Sequence, residues 1–297
     1  MTTFHYQQLP SMKEVYRGAL RLRRPKLTAQ LPAHRSEVGG VTTPLARLQS
    51  YRALCGIPDD GMLPLLWPQV LATPLGGVLL AQPDMPLPMM GLVHVENTVS
   101  QWHPISQSAA LDMQCYLAGP FPARKGVHIQ ITTNAFLDGE CVWQSVITAL
   151  ARRKRPDLPD PADIVDPFDG FEDPEREKVR FFAHEGVGRD YARVSGDWNP
   201  IHLHPWLARP FGFPRAIATG MWTLATACAL HQFPSEPMTL HCRFRRPVFL
   251  PAEAIVRSYQ RKKATRFDVW TTDGEKPSLR VLAMQGQPAE QPPMFRT

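Results

Sequence analysis

This chain of 297 residues lacks the long apolar runs that mark membrane proteins. The best candidate for a membrane span, residues 63–81, is interrupted by three prolines and two glycines, whereas a spanning helix needs about 20 mostly apolar residues. Residues 1–10 contain no basic segment followed by an apolar core, so we expect no secretory signal. These absences predict a protein that neither spans a membrane nor carries a leader.

Closely spaced cysteine pairs are also absent. The five cysteines are an odd number and lie far apart in the chain, at Cys55, Cys115, Cys141, Cys228 and Cys242. A secreted disulfide scaffold has the opposite pattern, so we interpret these residues as reduced thiols and expect a cytoplasmic protein. Hydrophobic residues make up 43% of the chain and charged residues 20%, which is typical of a globular protein of one large or two ordinary domains.

The positive charge is concentrated at the N-terminus. Residues 1–54 carry nine Lys or Arg against two acidic residues, which is +7 within a total of +6 for the whole chain. This arm has no recognisable nucleic-acid-binding module, so we expect no nucleic-acid partner. We interpret it as a solvated arm on the domain surface, and its charge also fits an acidic acyl carrier or the phosphates of coenzyme A.

The stretch from residue 190 to residue 230 organises the rest of the chain. Its first part, residues 191–202, is rich in Gly, Asp, Asn and Pro, which predicts an irregular loop. Asn199 precedes a proline and is therefore expected to be extended, an arrangement that aims Asp197 and His202 at one point. A carboxylate and an imidazole so placed form a candidate acid/base pair.

The second part of this stretch changes character at Ala218. The residues that follow are apolar on every side, which predicts a fully buried helix with Thr219 and Gly220 at its start. A helix start leaves backbone N–H groups free to face a developing negative charge. An acid/base pair followed by an oxyanion-binding helix start suits chemistry next to a carbonyl group.

These residues resemble a known family motif. The run Tyr191-Ala-Arg-Val-Ser-Gly-Asp197-Trp-Asn199-Pro200-Ile-His202 is followed by Ala208, Gly212-Phe213 and Ile217-Ala-Thr-Gly220-Met221. This pattern looks like the hydratase 2 motif of MaoC-like, R-specific enoyl-CoA hydratases. The resemblance implies a hot dog fold, a long helix wrapped by a curved antiparallel sheet. It also implies an enzyme that adds water to trans-2-enoyl thioesters, or removes it from R-3-hydroxyacyl thioesters, without a cofactor.

The resemblance implies a role for each site residue. Asp197 and His202 would be the acid/base pair, and Asn199 would hold the water or the loop. The Gly220 N–H would take the thioester oxygen, with the flanking residues Thr219 and Met221 binding substrate. Taken alone, Asp197 would be interpreted as a loop cap and His202 as a buried core residue. Together in this spacing, the two residues indicate a catalytic pair.

The chain departs from relatives at two positions. Thr219 stands where relatives commonly have His, and His204 where they commonly have an acid. The resulting pair, His202 and His204, raises a metal site as an alternative, but no Cys or acid at ligand spacing completes it, so we expect no metal. Three arginines in the following strand are a candidate anchor for the phosphates of coenzyme A or phosphopantetheine, and equally fit solvated strand faces: Arg243, Arg245 and Arg246.

The first half of the chain predicts a second hot dog. Residues 63–81 predict a helix that Pro68 and Pro74 kink or shorten. Four β-rich runs follow, at 92–100, 109–117, 127–137 and 141–150, and Asp138-Gly139 is a strong hairpin signal. This half resembles the N-terminal half of double hot dog dehydratases through residues 91–95 and 138–145. It lacks an Asp-x-Asn-Pro-x-His run, so we expect a degenerate half that shapes the acyl pocket.

These patterns together predict an α+β double hot dog, with two long helices each wrapped by a curved antiparallel sheet. We divide it into a degenerate domain with the basic arm (1–151), an Asp- and Pro-rich linker (152–177) and a catalytic domain (178–297). Strands of the last domain are expected at 178–183, 238–249, 254–260, 266–272 and 279–284. We expect the halves to form one pseudo-dimer with a joined sheet, and a homodimer of such chains is a further possibility.

Two other functions remain open. A hot dog thioesterase commonly places a carboxylate on the buried helix, and residues 219–232 contain no Asp or Glu. A non-catalytic module that binds acyl thioesters is disfavoured by the intact Asp197 and His202. The sequence leaves open whether the substrate is a thioester of coenzyme A or of a carrier protein. The glycines at 76–77 predict space beside the first helix, and hence acyl chains longer than crotonyl.

Overall fold

The computed structural model describes residues 2–19, 24–153, 168, 177–231, 233, 237–261, 264–272, 274–286 and 288. Within these residues one curved sheet of eleven strands carries the helices. The N-terminal half contributes, in chain order, β1 (Thr2–Tyr6), α1 (Met12–Ala19), β2 (His34–Val41), α2 (Leu45–Cys55), α3 (Trp67–Leu80), β3 (Leu92–Gln101), β4 (Leu111–Ala123), β5 (Gly126–Leu137) and β6 (Glu140–Ala151).

The C-terminal half repeats the order of a helix followed by a meander. It contributes β7 (Glu177–Ala183), α4 (Val187–Ser195), the short helices α5 (Pro200–Leu203) and α6 (Pro205–Ala208), a single 3₁₀ turn (Arg209–Phe211), α7 (Gly220–His231), β8 (Met238–Phe244), β9 (Ala252–Arg261), β10 (Ala264–Thr271) and β11 (Leu279–Gln285). No helix among the described residues is long and apolar enough to cross a membrane.

The two halves share one sheet, as predicted. Its strand order is β1-β2-β4-β5-β6-β3-β8-β11-β10-β9-β7, and β3 joins β8 in antiparallel register from Glu96 opposite Arg243 to Gln101 opposite Met238. One large hydrophobic core draws buried residues from both halves, and a small separate cluster is formed by Trp102, Phe136 and Cys141. The predicted linker lies mostly outside the described residues, so the division into separate domains stays a prediction.

Local signals located most strands correctly. Asp138 and Gly139 both have positive φ, at 52° and 84°, which is the geometry of a tight hairpin between β5 and β6. In β8 the residues Met238, Leu240 and Cys242 are buried while the residues between them are not, in line with the period-2 pattern. The last residues of the buried helix depart from expectation, because Leu230 is 36% exposed.

The first long helix is more regular than its prolines suggested. It begins at Trp67, with Pro68 in the first turn, where a missing N–H costs no hydrogen bond. It then continues through Pro74 to Leu80 and packs against β2, β4 and β5. The predicted shortening is confirmed, since the helix begins at Trp67 and not at residue 63, and it continues through Pro74 because burial along nearly its whole length outweighs the local cost of that proline.

The interpretation of residues 1–54 as a solvated arm is wrong. Here β1 pairs with β2, and β2 pairs with β4, so this segment forms one edge of the sheet. Arg35 is buried in β2 beside Glu37, whose carboxylate lies 3.2 Å from its guanidinium. Opposite charges that pair within the fold look like a solvated surface in the sequence, which explains the error.

Candidate active site

A short helix and two caps position the proposed acid/base pair. Helix α4 reaches Ser195, and Gly196 ends it with φ 79°, a left-handed conformation that glycine adopts at little cost. Asn199 then caps α5 in an extended conformation, with φ −60° and ψ 123°. The extended turn before Pro200 was predicted correctly. The irregular loop was expected to begin at Tyr191, however, and that residue is helical because it packs into the core.

Asp197 and His202 lie close to each other across this turn. Asp197 Oδ2 is 3.9 Å from His202 Nε2. The histidine side chain is 9% exposed and that of the aspartate 33%. The separation is too long for a direct hydrogen bond and short enough for one water molecule to contact both groups.

The backbone defines which nitrogen of His202 is available. Its Nδ1 lies 2.9 Å from the carbonyl oxygen of Ile217. A carbonyl oxygen only accepts hydrogen bonds, so Nδ1 carries the proton of the neutral ring and donates it. His202 Nε2 is then a lone-pair acceptor that faces Asp197, which is the arrangement a proton-accepting group requires.

Backbone contacts hold the aspartate in place. The Asn199 N–H donates to Asp197 Oδ1 at 3.2 Å, and the Asp197 N–H donates to Ser195 Oγ at 3.1 Å. The side-chain oxygen of Asn199 accepts from the Ile201 N–H at 3.4 Å. In this structure Asn199 therefore shapes the loop with both its backbone and its side chain.

A glycine in α4 allows His202 to approach. A Cβ atom added at Gly188 would lie 1.9 Å from the carbonyl oxygen of His202 and 2.8 Å from its carbonyl carbon. Atoms at such distances overlap, so the two backbones pack this closely because residue 188 has no side chain.

The start of α7 supplies backbone donors. Gly220 is its first residue, and N–H groups in the first turn have no partner inside the helix. The ring of Phe244 packs on the face of Gly220, where an added Cβ would lie 2.7 Å from it. Thr219 Oγ1 is buried and has no hydrogen-bond partner within the described part of the chain. Met221 points toward the first half, with its sulfur near Gln69 and Asn97.

A cavity of about 240 Å³ lies beside this loop. Asp197 and Asn199 form part of its wall, and the N-terminal half supplies the rest. The other lining residues are Met12, Tyr16, Gln69, Ala72, Thr73, Gly76, Gly77, Leu80, Met89, Met90, Leu92, His94, Ile131, Thr133, Ile147 and Ala149. The cavity is mostly apolar, with a few polar groups, as expected for a site that binds an acyl chain.

The glycines of α3 were expected to leave space beside that helix, and the structure supports this expectation only in part. Gly76 and Gly77 do line the cavity. A Cβ at Gly77, however, would lie 2.6 Å from a methyl carbon of Val15 in α1. Gly77 therefore serves the contact between the two helices, and a larger residue there would displace α1 before it filled the cavity.

Sequence reasoning missed Tyr16. Its hydroxyl accepts a hydrogen bond of 2.9 Å from the Trp198 N–H, between Asp197 and Asn199. Burial, together with the negative charge of Asp197, raises the pKa of Tyr16 to about 12, although the bond from Trp198 acts in the opposite direction. The hydroxyl thus stays protonated and retains a hydrogen to donate.

A signal for this helix was present in the sequence. Ser11 and Glu14 form a capping box, with the Ser11 N–H donating to the glutamate at 3.1 Å. The apolar side chains of Met12, Val15, Tyr16 and Ala19 follow the helical period on one face. The high charge of the segment obscured both features.

His94 was singled out only as part of a resemblance, and it also lines the cavity. Burial lowers its pKa to about 4, so the ring is neutral at ordinary pH. Its ring packs at 4.6 Å on that of Phe244, the residue that covers Gly220. His94 therefore connects the cavity wall to the start of α7.

The arginines proposed as a phosphate anchor occupy different environments. Arg243 pairs with Glu96 across the junction of the halves, with Nε and Oε1 2.8 Å apart. Arg245 and Arg246 are exposed, and their backbone N–H groups donate to Ser278. The two exposed side chains are thus better placed than Arg243 to meet a phosphate.

The two histidines raised as a possible metal site each make a backbone contact through Nδ1. His204 Nδ1 accepts a hydrogen bond from the Trp206 N–H at 3.3 Å and caps α6. His202 Nδ1 is engaged with a carbonyl oxygen. Among the residues that the structure describes, no three His, Cys, Asp or Glu side chains cluster as a metal site would require.

Comparison with known proteins identifies a matching family, similar sequences and similar folds. Residues 174–278 match the model of the MaoC like domain. The chain is 31% identical over 242 residues to 3-hydroxyacyl-thioester dehydratase X of Mycobacterium tuberculosis, covering 76% of this chain and 80% of that protein. The crystal structure of that organism's HtdX superposes with a TM-score of 0.73 at 26% identity, over 84% of this chain and 99% of that one.

Two further relatives extend the comparison. A MaoC-like dehydratase from Phytophthora capsici has the same fold, with a TM-score of 0.72 at 17% identity over 87% of this chain and 97% of that one. The peroxisomal enoyl-CoA hydratase 2 of Arabidopsis thaliana is 39% identical over 70 residues, which is 22% of each protein. The likeness to dehydratases thus covers most of the chain, while the likeness to the plant hydratase is confined to one segment.

Proposed function

The chain belongs to the family of MaoC-like dehydratases, and from this premise we propose that it reversibly hydrates trans-2-enoyl thioesters to R-3-hydroxyacyl thioesters. It is a lyase of the hydratase and dehydratase type. The observation that carries the finer proposal is the 3.9 Å separation between Asp197 Oδ2 and His202 Nε2, with Asp197 on the wall of the cavity.

Hydration needs two proton transfers, one from the water that adds to Cβ and one to the neighbouring Cα. A water held between Asp197 and His202 loses one proton to this pair as its oxygen adds to Cβ of the enoyl group. A proton from the same pair then reaches Cα, so the pair ends as it began. The bond between His202 Nδ1 and the Ile217 carbonyl keeps the ring oriented while Nε2 gains and loses its proton.

Negative charge moves onto the thioester oxygen during the addition. In this proposal the backbone N–H of Gly220, at the positive end of α7, stabilises this charge. Because the donor belongs to the backbone, threonine in place of the histidine common in relatives leaves it intact. Thr219 and Met221 flank this donor in the chain, and we assign them to thioester binding.

The N-terminal half supplies the acyl pocket in this proposal. The cavity has a volume of about 240 Å³ and is lined mainly by residues of this half. A crotonyl group would leave much of this space unfilled, so the enzyme would prefer a longer acyl chain. The exposed side chains of Arg245 and Arg246 are candidates for holding the phosphates of coenzyme A or of a carrier protein's phosphopantetheine.

Thioester hydrolysis is the alternative that experiment must separate from hydration. Helix α7 carries no acidic side chain along Gly220–His231, where a hot dog thioesterase would commonly need one. A non-catalytic binding module would not require the His202 ring to be oriented by a hydrogen bond from Nδ1 to the Ile217 carbonyl oxygen. Both alternatives are therefore less well supported than hydration.

One assay distinguishes the three functions. The purified protein is incubated with crotonyl-CoA and longer trans-2-enoyl-CoAs while loss of the enoyl absorbance and release of free thiol are followed together. We expect hydration without thiol release, with a higher kcat/KM for the longer chains, and the R product by chiral chromatography. Thiol release alone would identify a thioesterase, and binding without turnover a non-catalytic module.

A further inference from the structure

A buried amide of the first half faces the proposed active site. Gln69 lies in the first turn of α3, is 7% exposed and lines the cavity that Asp197 and Asn199 share. No sequence motif had singled it out. Gln69 thus contributes a polar group from the first half of the chain to the wall of this cavity, whereas the acid/base pair belongs to the second half.

The contacts of Gln69 determine which atom faces the ligand. Its Oε1 accepts hydrogen bonds from Asn97 Nδ2 at 2.8 Å and from Ser145 Oγ at 3.0 Å. Its Nε2 lies 3.5 Å from Met221 Sδ, and Asn97 Nδ2 lies 3.6 Å from the same sulfur. A thioether sulfur carries no hydrogen and only accepts, so both amides must turn their nitrogens toward it.

The nitrogen of Gln69 is incompletely satisfied. An amide NH₂ has two hydrogens to donate, and the acceptor that the described residues offer it is one sulfur, which is a weak acceptor. Buried donors are rarely left without a partner in folded proteins. The second N–H can therefore be satisfied by an atom in the cavity that Gln69 lines.

The location of Met221 identifies that atom. Met221 follows Gly220, the residue whose backbone N–H is proposed to bind the thioester oxygen. Gln69 Nε2 thus contacts the side chain of the residue that follows Gly220 and also lines the cavity. We infer that Gln69 Nε2 donates a second hydrogen bond to the thioester carbonyl oxygen, across the junction of the two halves. This inference rests on the proposed function.

The inference gives the degenerate half a role in the chemistry. It supplies a side-chain donor to the developing oxyanion, in addition to the apolar wall for the acyl chain. Asn97 acts as the positioning residue, because its bond to Gln69 Oε1 fixes the direction of the Nε2 hydrogens, whereas the one hydroxyl hydrogen of Ser145 is shared between Gln69 Oε1 and Asn97 Oδ1. Such preorganised donors stabilise charge that develops in the transition state.

The test compares Gln69→Met with Ser145→Ala. Gln69→Met keeps the length of the side chain and removes its amide, which is both the nitrogen donor and the oxygen that Asn97 and Ser145 contact. Ser145→Ala disturbs the same buried network but leaves the Gln69 nitrogen in place. Each variant is assayed for kcat and KM on a trans-2-enoyl-CoA that the parent hydrates. Each is also mixed with hexa-2,4-dienoyl-CoA, whose absorbance shifts to longer wavelength when its carbonyl is polarised.

We expect Gln69→Met to lower kcat on the order of tenfold to a hundredfold, with a smaller effect on KM, and to lose most of the red shift of the bound dienoyl group. Ser145→Ala should retain the shift and most of kcat. An unchanged shift and kcat in Gln69→Met would overturn the inference, as would equal losses in the two variants, which would show a purely structural network.

Two further controls keep the outcome interpretable. Circular dichroism and thermal melting establish that each variant is folded, and Gln69→Leu replaces Gln69→Met if the latter fails to fold. A parent protein that neither hydrates enoyl-CoAs nor shifts the dienoyl spectrum would refute the proposed function, and the inference with it. A parent that does both, with Gln69→Met unchanged, would refute the inference alone.

Discussion

Replacing Gly188 with alanine tests whether the approach of α4 to His202 is needed for catalysis. The new Cβ would lie 1.9 Å from the His202 carbonyl oxygen, whereas real Cβ contacts are essentially never shorter than 3.0 Å. The two backbones must therefore separate by about 1.1 Å or more. On helix propensity alone the change would stabilise α4 by ~1 kcal/mol, so the steric overlap decides the sign.

The expected loss follows from the displacement of the histidine. A shift of this size moves His202 relative to Asp197, whose present separation of 3.9 Å suits one bridging water. Misplacement of a reacting group by ~1 Å costs on the order of a hundredfold in rate. We therefore expect Gly188→Ala to lower kcat on a trans-2-enoyl-CoA by about that factor, with a destabilisation of roughly 1–3 kcal/mol from the overpacking.

Gly186→Ala is the matched control. It lies two residues earlier, has φ −85°, which alanine adopts readily, and its added Cβ would first meet the movable end of the Arg189 side chain at 3.3 Å. We expect it to retain the parent kcat. Steady-state hydration rates and thermal melts of both variants provide the measurement. Parental kcat in a folded Gly188→Ala protein would refute the reasoning, since His202 would then tolerate the displacement.

The remaining predictions concern the acid/base pair, the joined sheet and the cavity. Asp197→Asn and His202→Asn should each lower hydration on the order of a hundredfold or more, and their combined loss should fall well short of additive because both act on one water; parental rates in folded single variants would reject the assignment. Residues 177–297 expressed alone should self-associate or aggregate on size-exclusion chromatography, because β8 loses β3 as its neighbour; a monomeric, fully active fragment would contradict this. Thr73→Leu, on the cavity wall, should lower kcat/KM for long enoyl-CoAs and spare crotonyl-CoA, and equal losses on both would indicate general destabilisation instead.

The features that the sequence predicted well depend on neighbours along the chain. The Asn199-Pro200 turn, the Asp138-Gly139 hairpin and the alternation in β8 follow from local steric preferences and from burial on one face of a strand. The same holds for the clustering of Asp197 and His202, which are five residues apart and separated by a single turn. Short-range geometry of this kind is largely specified by residue type.

Local preference failed where tertiary packing opposed it. Pro74 remained inside α3 because the helix is buried along nearly its whole length. The basic N-terminal segment is part of the sheet because β2 pairs with β4, and this pairing buries Arg35 beside its strand neighbour Glu37. A charged residue indicates a solvent-exposed position, and a proline indicates a turn, only where no tertiary contact compensates for it. In this protein those contacts are set by the fold.

The composition of the site depended on tertiary structure more than any other feature. Tyr16, Gln69 and Asp197 lie far apart in the sequence, yet all three line one cavity. Gly77 was expected to provide space for substrate, but Val15 packs against it. The sequence by itself determined the chemistry of the acid/base loop, because those residues are neighbours in the chain. Only the tertiary structure decided what surrounds that loop, because contacts between distant segments arise from the pairing of strands and the packing of helices.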